Sequence, residues 1–299
     1  MRRSAAVRAA IALLALAPLL AVAVAVGLSL GAGTLSLPAA AMTRQHLGPP
    51  VPAQVRRVVT LAPSLSEMVL ALGAGERLVG VTRFDDDPRT ARLPRVGGYD
   101  DPEPETVLGL HPDLVLAQPA PENRGPVETL ARIGIPVEAF ALGNLSEVED
   151  AMEQIGALLG VPERGRALRD ELEHHRARVR ATAPRGPRPR ALLVFGLDPL
   201  VVAGPTGFAG ELLRDTGAVN AAGDADRPFA RLSVEAAVRA QPEVVVICGF
   251  EPPQGRPAIP GLPRARVETL RSTALLHPGP RLVEGLDDLV AALRGKQVP

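Results

Sequence analysis

Short β-prone apolar runs alternate with stretches of helical period along most of the chain. "RRVVTL" reads as a strand, and "SLSEMVLALGAG" as a helix that Ser64 caps with Glu67 three residues later and Gly73 ends. "RLVGVT" is strand-like, a helix follows from about Pro104, His111-Pro112 turns the chain, and "DLVLA" is a strand of the buried type. "VETLARIG" and "IPVEAF" repeat the order of helix then strand. Such alternation predicts a mostly parallel sheet with helices on its faces.

Between Ser146 and Thr182 the pattern is helical without a strand. Ser146 and Glu149 are spaced as a capping box, Gly160-Val161-Pro162 breaks the run, and Leu168, Leu172 and Val179 mark one apolar face. After "APRGPRPR" a second α/β unit begins: "ALLVFG" as strand, "TGFAGELLRDTGA" and "LSVEAAVRAQ" as helices, "EVVVICG" as strand. Residues Glu251 to Pro263 read as loop, "ARVETL" as a last strand, and "GPRLVEGLDDLVAALR" as a terminal helix with Pro280 in its first turn.

One segment is stated twice. "EPETVLGLHPDLVL", Glu103 to Leu116, returns at Ser233 to Val246 as "SVEAAVRAQPEVVV". Each copy has Glu in third place, a short apolar helix, Pro, an acidic residue and a β-prone run. Each is preceded by a helix with a Gly-Ala ending. A repeat this long, with a helical segment between copies, predicts two similar lobes rather than a solenoid. The expected organisation is a leader at 1–41, a linker at 42–56, an N-terminal lobe at 57–145, a connector helix at 146–184 and a C-terminal lobe at 185–299.

The leader differs in character from the rest. A basic "MRRSAAVRAA", an apolar Ile11 to Leu30 and small residues at Ala39 to Ala41 follow the order of a cleaved secretory signal. The alternative is an uncleaved tether, since about 20 apolar residues span a bilayer. Cleavage predicts a periplasmic protein, and retention predicts one held at the membrane.

Composition narrows the classes. The 33 basic and 33 acidic residues balance and form no long run, which argues against a nucleic-acid partner. The lone Cys248 gives no disulfide framework and no thiolate cluster. G-x-S-x-G, P-loop, dinucleotide and H-E-x-x-H motifs are absent from the sequence, so an enzyme is not expected. The five His residues show no metal-ligand spacing; His46 reads as tail, His111 as corner, and His174 and His175 as neighbours on different sides of a helix. No metal or cofactor is expected. His277, in a loop before a helix, is the one placed to face a cleft. Aromatic residues are only 2%, yet Phe84, Tyr99, Phe195 and Phe229 all fall at or just after strand-like segments, where open α/β sheets place ligand contacts.

Taken in order, "RRVVTLAPSLSEMVLALGAGERLVGVT", "LPRVGGYDDPEPETVLGLHPDLVLA", the connector and "LSVEAAVRAQPEVVVICG" resemble the periplasmic substrate-binding proteins of ABC importers for cobalamin, iron siderophores and haem, with the cobalamin branch nearest. The likeness spans about Arg57 to Arg294. It implies two α/β lobes joined by a rigid backbone helix, a ligand cleft between them and little lobe closure. It also implies a monomer that hands its solute to the permease subunits of the inner membrane. Phe84, Tyr99, Phe195 and Phe229 match positions lining the corrinoid cleft. Gln118 stands where an aromatic is expected, His277 near an expected Arg, and the Trp residues of relatives are missing, which leaves haem or a ferric siderophore open. Glu105 and Glu235 match the glutamates, one per lobe, that dock on permease arginines. Alternatives of other classes are a chelatase, which requires His277 to converge with Asp85 to Asp87, and a membrane-tethered sensor.

Overall fold

The computed structural model describes residues 44–184, 186–223, 227–250, 259, 261–262 and 264–295; the leader and most of the Gly- and Pro-rich segment 251–263 lie outside these residues. Two sheets form the two lobes. In the first, β2 (Val58–Thr60), β3 (Leu78–Gly80), β4 (Leu114–Ala117) and β5 (Val137–Phe140) are parallel, in the order β5-β4-β2-β3. Strand β1 (Arg44–Leu47) adds antiparallel to the β5 edge. Residues 44–47 were expected in a linker; they pair because Glu138, buried in β5, accepts from Arg44 Nε at 2.6 Å and faces His46 Nδ1 at 2.9 Å. Burial alone would push the Glu138 carboxyl up, but the two partners hold it below its ordinary range.

In the second sheet, β11 (Arg266–Leu270), β10 (Val244–Cys248) and β6 (Arg190–Leu197) are parallel, and β8 (Val219–Asn220) pairs with the start of β6. The other edge departs from the parallel expectation. β7 (Leu200–Ala203) turns back on β6 through Asp198-Pro199, and β9 (Phe229–Arg231) pairs antiparallel with β7. A two-residue connection forces an antiparallel partner, since a parallel one needs a crossover.

Side chains alternate across a strand, and here the alternation assigns each sheet face to a different core. Val58, Leu114, Leu116, Leu193, Val244 and Val246 share one central cluster with Leu65, Met152, Phe208 and Leu286. Val59, Val115 and Val137 face a second cluster in the first lobe, and Leu192, Val194, Val245 and Ile247 a third in the second lobe. The lobes are therefore fused through one apolar core. Cys248 lies in it fully buried, and burial pushes its thiol up to about 12. Because the thiolate is the reactive form, iodoacetamide should leave the native protein unlabelled and add one equivalent in denaturant. Native labelling at a comparable rate would mean that this core opens.

The connector is a helical hairpin. α4 (Leu145–Leu158) and α5 (Pro162–Thr182) meet where Gly156 and Gly165 face one another; a Cβ on Gly156 would stand 2.8 Å from Gly165 Cα. The α4 cap is Asn144 with Glu147, which bond reciprocally, rather than Ser146 with Glu149. Helix α5 fully buries only Gly165 and Leu172, packs Leu168 and Val179 on the central cluster, and reaches both lobes with polar contacts. Arg164 donates to Leu72 O of the first lobe at 2.9 Å, and Arg176 pairs with Glu149 at 2.7 Å and with Asp215 at 2.8 Å, in α6 (Phe208–Asp215) of the second lobe. Among the described residues no helix is long and apolar enough to cross a membrane.

The remaining helices are α1 (Pro63–Ala71), α2 (Pro104–Gly109), α3 (Arg124–Arg132), α7 (Val234–Ala240) and α8 (Leu282–Leu293). Two caps differ from expectation. α1 starts on Pro63 after Ala62, with Ser64 and Glu67 both buried inside it, and Pro280 precedes the Arg281 cap of α8 instead of lying in its first turn.

Candidate functional site

The segments that follow the strands at their C-terminal ends bring the lobes together. Phe208 N donates to Gly143 O at 3.0 Å, beyond β5, and Leu145 N to Glu211 Oε2 at 3.2 Å. On the other side Thr273 Oγ1, beyond β11, donates to Asp86 Oδ2 at 3.2 Å, beyond β3. His277 Nδ1 lies 2.8 Å from Glu67 Oε1. Carboxyl ends of strands are where open α/β sheets bind ligands, so the boundary between the lobes is the candidate cleft.

On the first lobe, Phe84 follows β3 and is 51% exposed, with the Arg83 guanidinium 4.9 Å from its ring centroid. Asp101 holds Arg83 at 2.5 Å. The turn beneath Phe84 is fixed by Asp85, which accepts from Thr82 N at 2.8 Å and from Thr82 Oγ1 at 2.6 Å. Tyr99 and Gln118 are brought together by Asn123, a residue the sequence reading did not single out. Asn123 is buried, and its Nδ2 donates at 2.9 Å both to Tyr99 O and to Gln118 O. The Tyr99 hydroxyl donates to Pro119 O at 3.4 Å, and burial pushes the phenol up. A hollow of about 500 Å³ adjoins this loop between Asn123, Pro119 and Leu47 of β1.

On the second lobe, Phe195 of β6 and Phe229 of β9 pack edge to face with centroids 5.1 Å apart, and Phe208 joins at 6.0 Å. Phe208 is buried and Phe229 exposed, so the pair is anchored at one end and open at the other. Along β9 the burial alternates, which places Phe229 and Arg231 on one exposed face. A hollow of about 560 Å³ is lined there by Arg227, Phe229, Ala230 and Arg231. His277 does not stand free in the cleft, since its ring is occupied by Glu67.

The repeated segment is repeated in space. Pro104 and Val234 open α2 and α7, and Glu105 and Glu235 are exposed in the first turns. His111 and Gln241 take the left-handed conformation at φ 47 and 45. Beyond each Pro, Asp113 N donates to Arg57 O and Glu243 N to Arg190 O, both at 2.8 Å. Two arginines complete the corners: Arg57 Nη2 donates to Leu110 O and Arg190 Nη2 to Ala240 O, each at 2.7 Å. Basic groups on terminal carbonyls end a helix favourably. Each helix leads into a parallel strand of its sheet, β4 or β10, so the two Glu residues hold corresponding positions on the two lobes. Leu108 and Val238, three residues on from each Glu, are exposed as well. The Ser233 hydroxyl holds the Glu235 carboxyl below its ordinary range.

A family model described as periplasmic binding protein matches residues 58–251, spanning both lobes. The chain belongs to the periplasmic binding protein family. A protein named vitamin B12-binding protein from Yersinia pseudotuberculosis is 28% identical over 221 residues, 73% of this chain and 79% of that one. Among solved structures, a periplasmic haem-binding protein from Pseudomonas aeruginosa is similar with TM-score 0.71 and 32% identity, covering 82% of this chain and 95% of that chain. The apo haem-binding protein of Roseiflexus sp. RS-1 is similar with TM-score 0.70 and 29% identity, covering 80% and 98%. As a periplasmic binding protein, the chain has the expected two α/β lobes with the backbone helix between them.

Proposed function

We propose that this periplasmic binding protein captures a metal-bearing tetrapyrrole in the periplasm and delivers it to an ABC permease. The observation that carries the reading is the aromatic set on both sides of the lobe boundary: Phe84 and Tyr99 on one lobe, the Phe195–Phe229 pair on the other. Flat macrocycles bury large apolar faces, and a few fixed polar groups then set orientation. Gln118 completes the proposed ligand set; His277, engaged by Glu67, is left out of it.

Within this class the sequence favours a corrinoid, in line with the 28% identical vitamin B12-binding relative. A specific feature of the rim favours haem. Arg227 and Arg231 flank Phe229, are exposed and make no ion pair among the described residues, which suits a macrocycle carrying carboxylates. Tyr99 adds a phenol, an oxygen donor of a kind that ligates haem iron. Glu105 and Glu235 are the proposed contacts to two permease subunits, one from each lobe.

Visible-spectrum titrations with cobalamin, haemin and a ferric siderophore test the reading side by side. A tetrapyrrole should bind, haemin more tightly than cobalamin. Phe229→Ala should weaken it roughly tenfold, a change of about 1.4 kcal/mol. Arg231→Ala should weaken haemin selectively. Binding of the siderophore alone would overturn the proposal.

A further inference from the structure

Glu67 is an unusual residue for the middle of a helix at a lobe boundary. It is 6% exposed, and its Oε2 is buried with no hydrogen-bond partner among the described residues. A buried, unsatisfied carboxylate oxygen calls for an explanation, and a bound ion is one. The other oxygen, Oε1, lies 2.8 Å from His277 Nδ1 and 3.4 Å from Arg281 Nη1. Asp86 approaches from the loop after β3, and one donor atom from each of Glu67, Asp86 and His277 lies within 4.8 Å of the others.

We propose that Glu67, Asp86 and His277 form a site for a divalent transition-metal ion, with Zn²⁺ the best fit, that clasps the two lobes at one end of the cleft. One imidazole nitrogen and two carboxylate oxygens are borderline donors that suit zinc better than magnesium or calcium, which take oxygen ligands. Zinc bonds of about 2.0–2.2 Å require tetrahedral donors roughly 3.3 Å apart, between the present 2.8 Å contact and the 4.8 Å limit of the cluster. On binding, the imidazole offers the Nδ1 lone pair and carries its proton on Nε2.

The surroundings agree with this assignment. Glu67 and Asp86 face the Arg281 guanidinium, which Glu284 also shares, and Arg89 close by is already paired with Asp87, so with a neutral imidazole these groups carry an excess negative charge that a dication offsets. Arg281 bonds Glu67 and also donates to Thr273 Oγ1 at 3.2 Å, and Thr273 in turn donates to Asp86. Such outer partners orient ligating carboxylates. Glu67 is buried while Asp86 is exposed, which gives an ion a path from solvent. Three protein ligands leave a fourth position for water or for a group on a solute in the cleft.

The test is metal binding by the purified protein, free of any affinity tag, using Zn²⁺ in calorimetry and Co²⁺ in visible absorption. One Zn²⁺ per chain is expected, with a cobalt d–d band that Zn²⁺ abolishes. His277→Ala and Asp86→Asn should each weaken binding roughly tenfold or more. Asp86→Asn is exposed and conservative, so it guards against loss through misfolding. Absence of Zn²⁺ binding, or binding that both variants leave unchanged, overturns the proposal.

Discussion

The paired substitution Glu105→Arg with Glu235→Arg is expected to leave ligand affinity unchanged within about twofold and to lower uptake by roughly tenfold or more. Both carboxylates are exposed and lie in the first turns of short helices. Neither touches the aromatic residues of the cleft, so solute binding has no reason to change. Charges at the rim of an interface govern encounter rate and register, and reversing two of them converts attraction to like-charge repulsion at both ends of a two-lobed body. Each Glu has an exposed aliphatic neighbour three residues on, Leu108 or Val238, so the proposed contact has an apolar element beside the charge. Transport by the reconstituted importer and solute affinity of the isolated protein are the two measurements. Uptake at the unaltered rate would reduce Glu105 and Glu235 to helix-end charges.

Arg176→Ala is expected to lower the melting temperature by about 6–12 °C. Arg176 lies on the 21-residue helix α5 and joins Glu149 of α4 to Asp215 of the second lobe, with 15% of its side chain exposed. Asp215 is 8% exposed at its side chain, and its remaining partner, Arg180, is 45% exposed at 3.1 Å. Removing one member of a buried ion pair costs about 3 kcal/mol, chiefly by leaving the other charge short of partners. For a domain of this size each kcal/mol moves the midpoint by roughly 2–4 °C. Arg176→Lys should recover only part of the loss, because an ammonium cannot bridge two carboxylates with the same fixed fork. Calorimetry of the three proteins decides it, and a shift below about 2 °C would show that the shared apolar core alone holds the lobes.

Much of the fold was legible because its signals are local. Runs such as "VVVIC" are buried on both faces of a parallel sheet and show as continuous apolar sequence. Gly73, at φ 68, and the break at Gly160-Val161-Pro162 lie where turn chemistry demands them. The antiparallel edge β7–β9 was missed although Asp198-Pro199 between two apolar runs is a turn signal. Strand β1 was missed for a different reason: "RQHL" is mostly polar, and the buried Glu138 that Arg44 and His46 meet lies 94 and 92 residues away from them in sequence. Of the three departures at helix starts, those at α1 and α4 arose from Ser–Glu spacings that fit a template. Nothing local told that Glu67 would be buried against His277, whereas Asn144 and Glu147 carry the same spacing as Ser146 and Glu149, so spacing alone did not choose between the two caps.

By itself the sequence determined the alternation of strand and helix, the two-lobe plan and the duplicated corner with its paired Glu residues, since each depends on spacing within a few turns of chain. It also placed the aromatic residues near strand ends. Only the tertiary structure decided what those residues meet: the edge-to-face packing of Phe195 and Phe229, the buried Asn123 behind Tyr99 and Gln118, the Arg57 and Arg190 caps, and the cluster of Glu67, Asp86 and His277. Those contacts join residues far apart in sequence, and their energies depend on distance and burial, which exist only once the two sheets share a core.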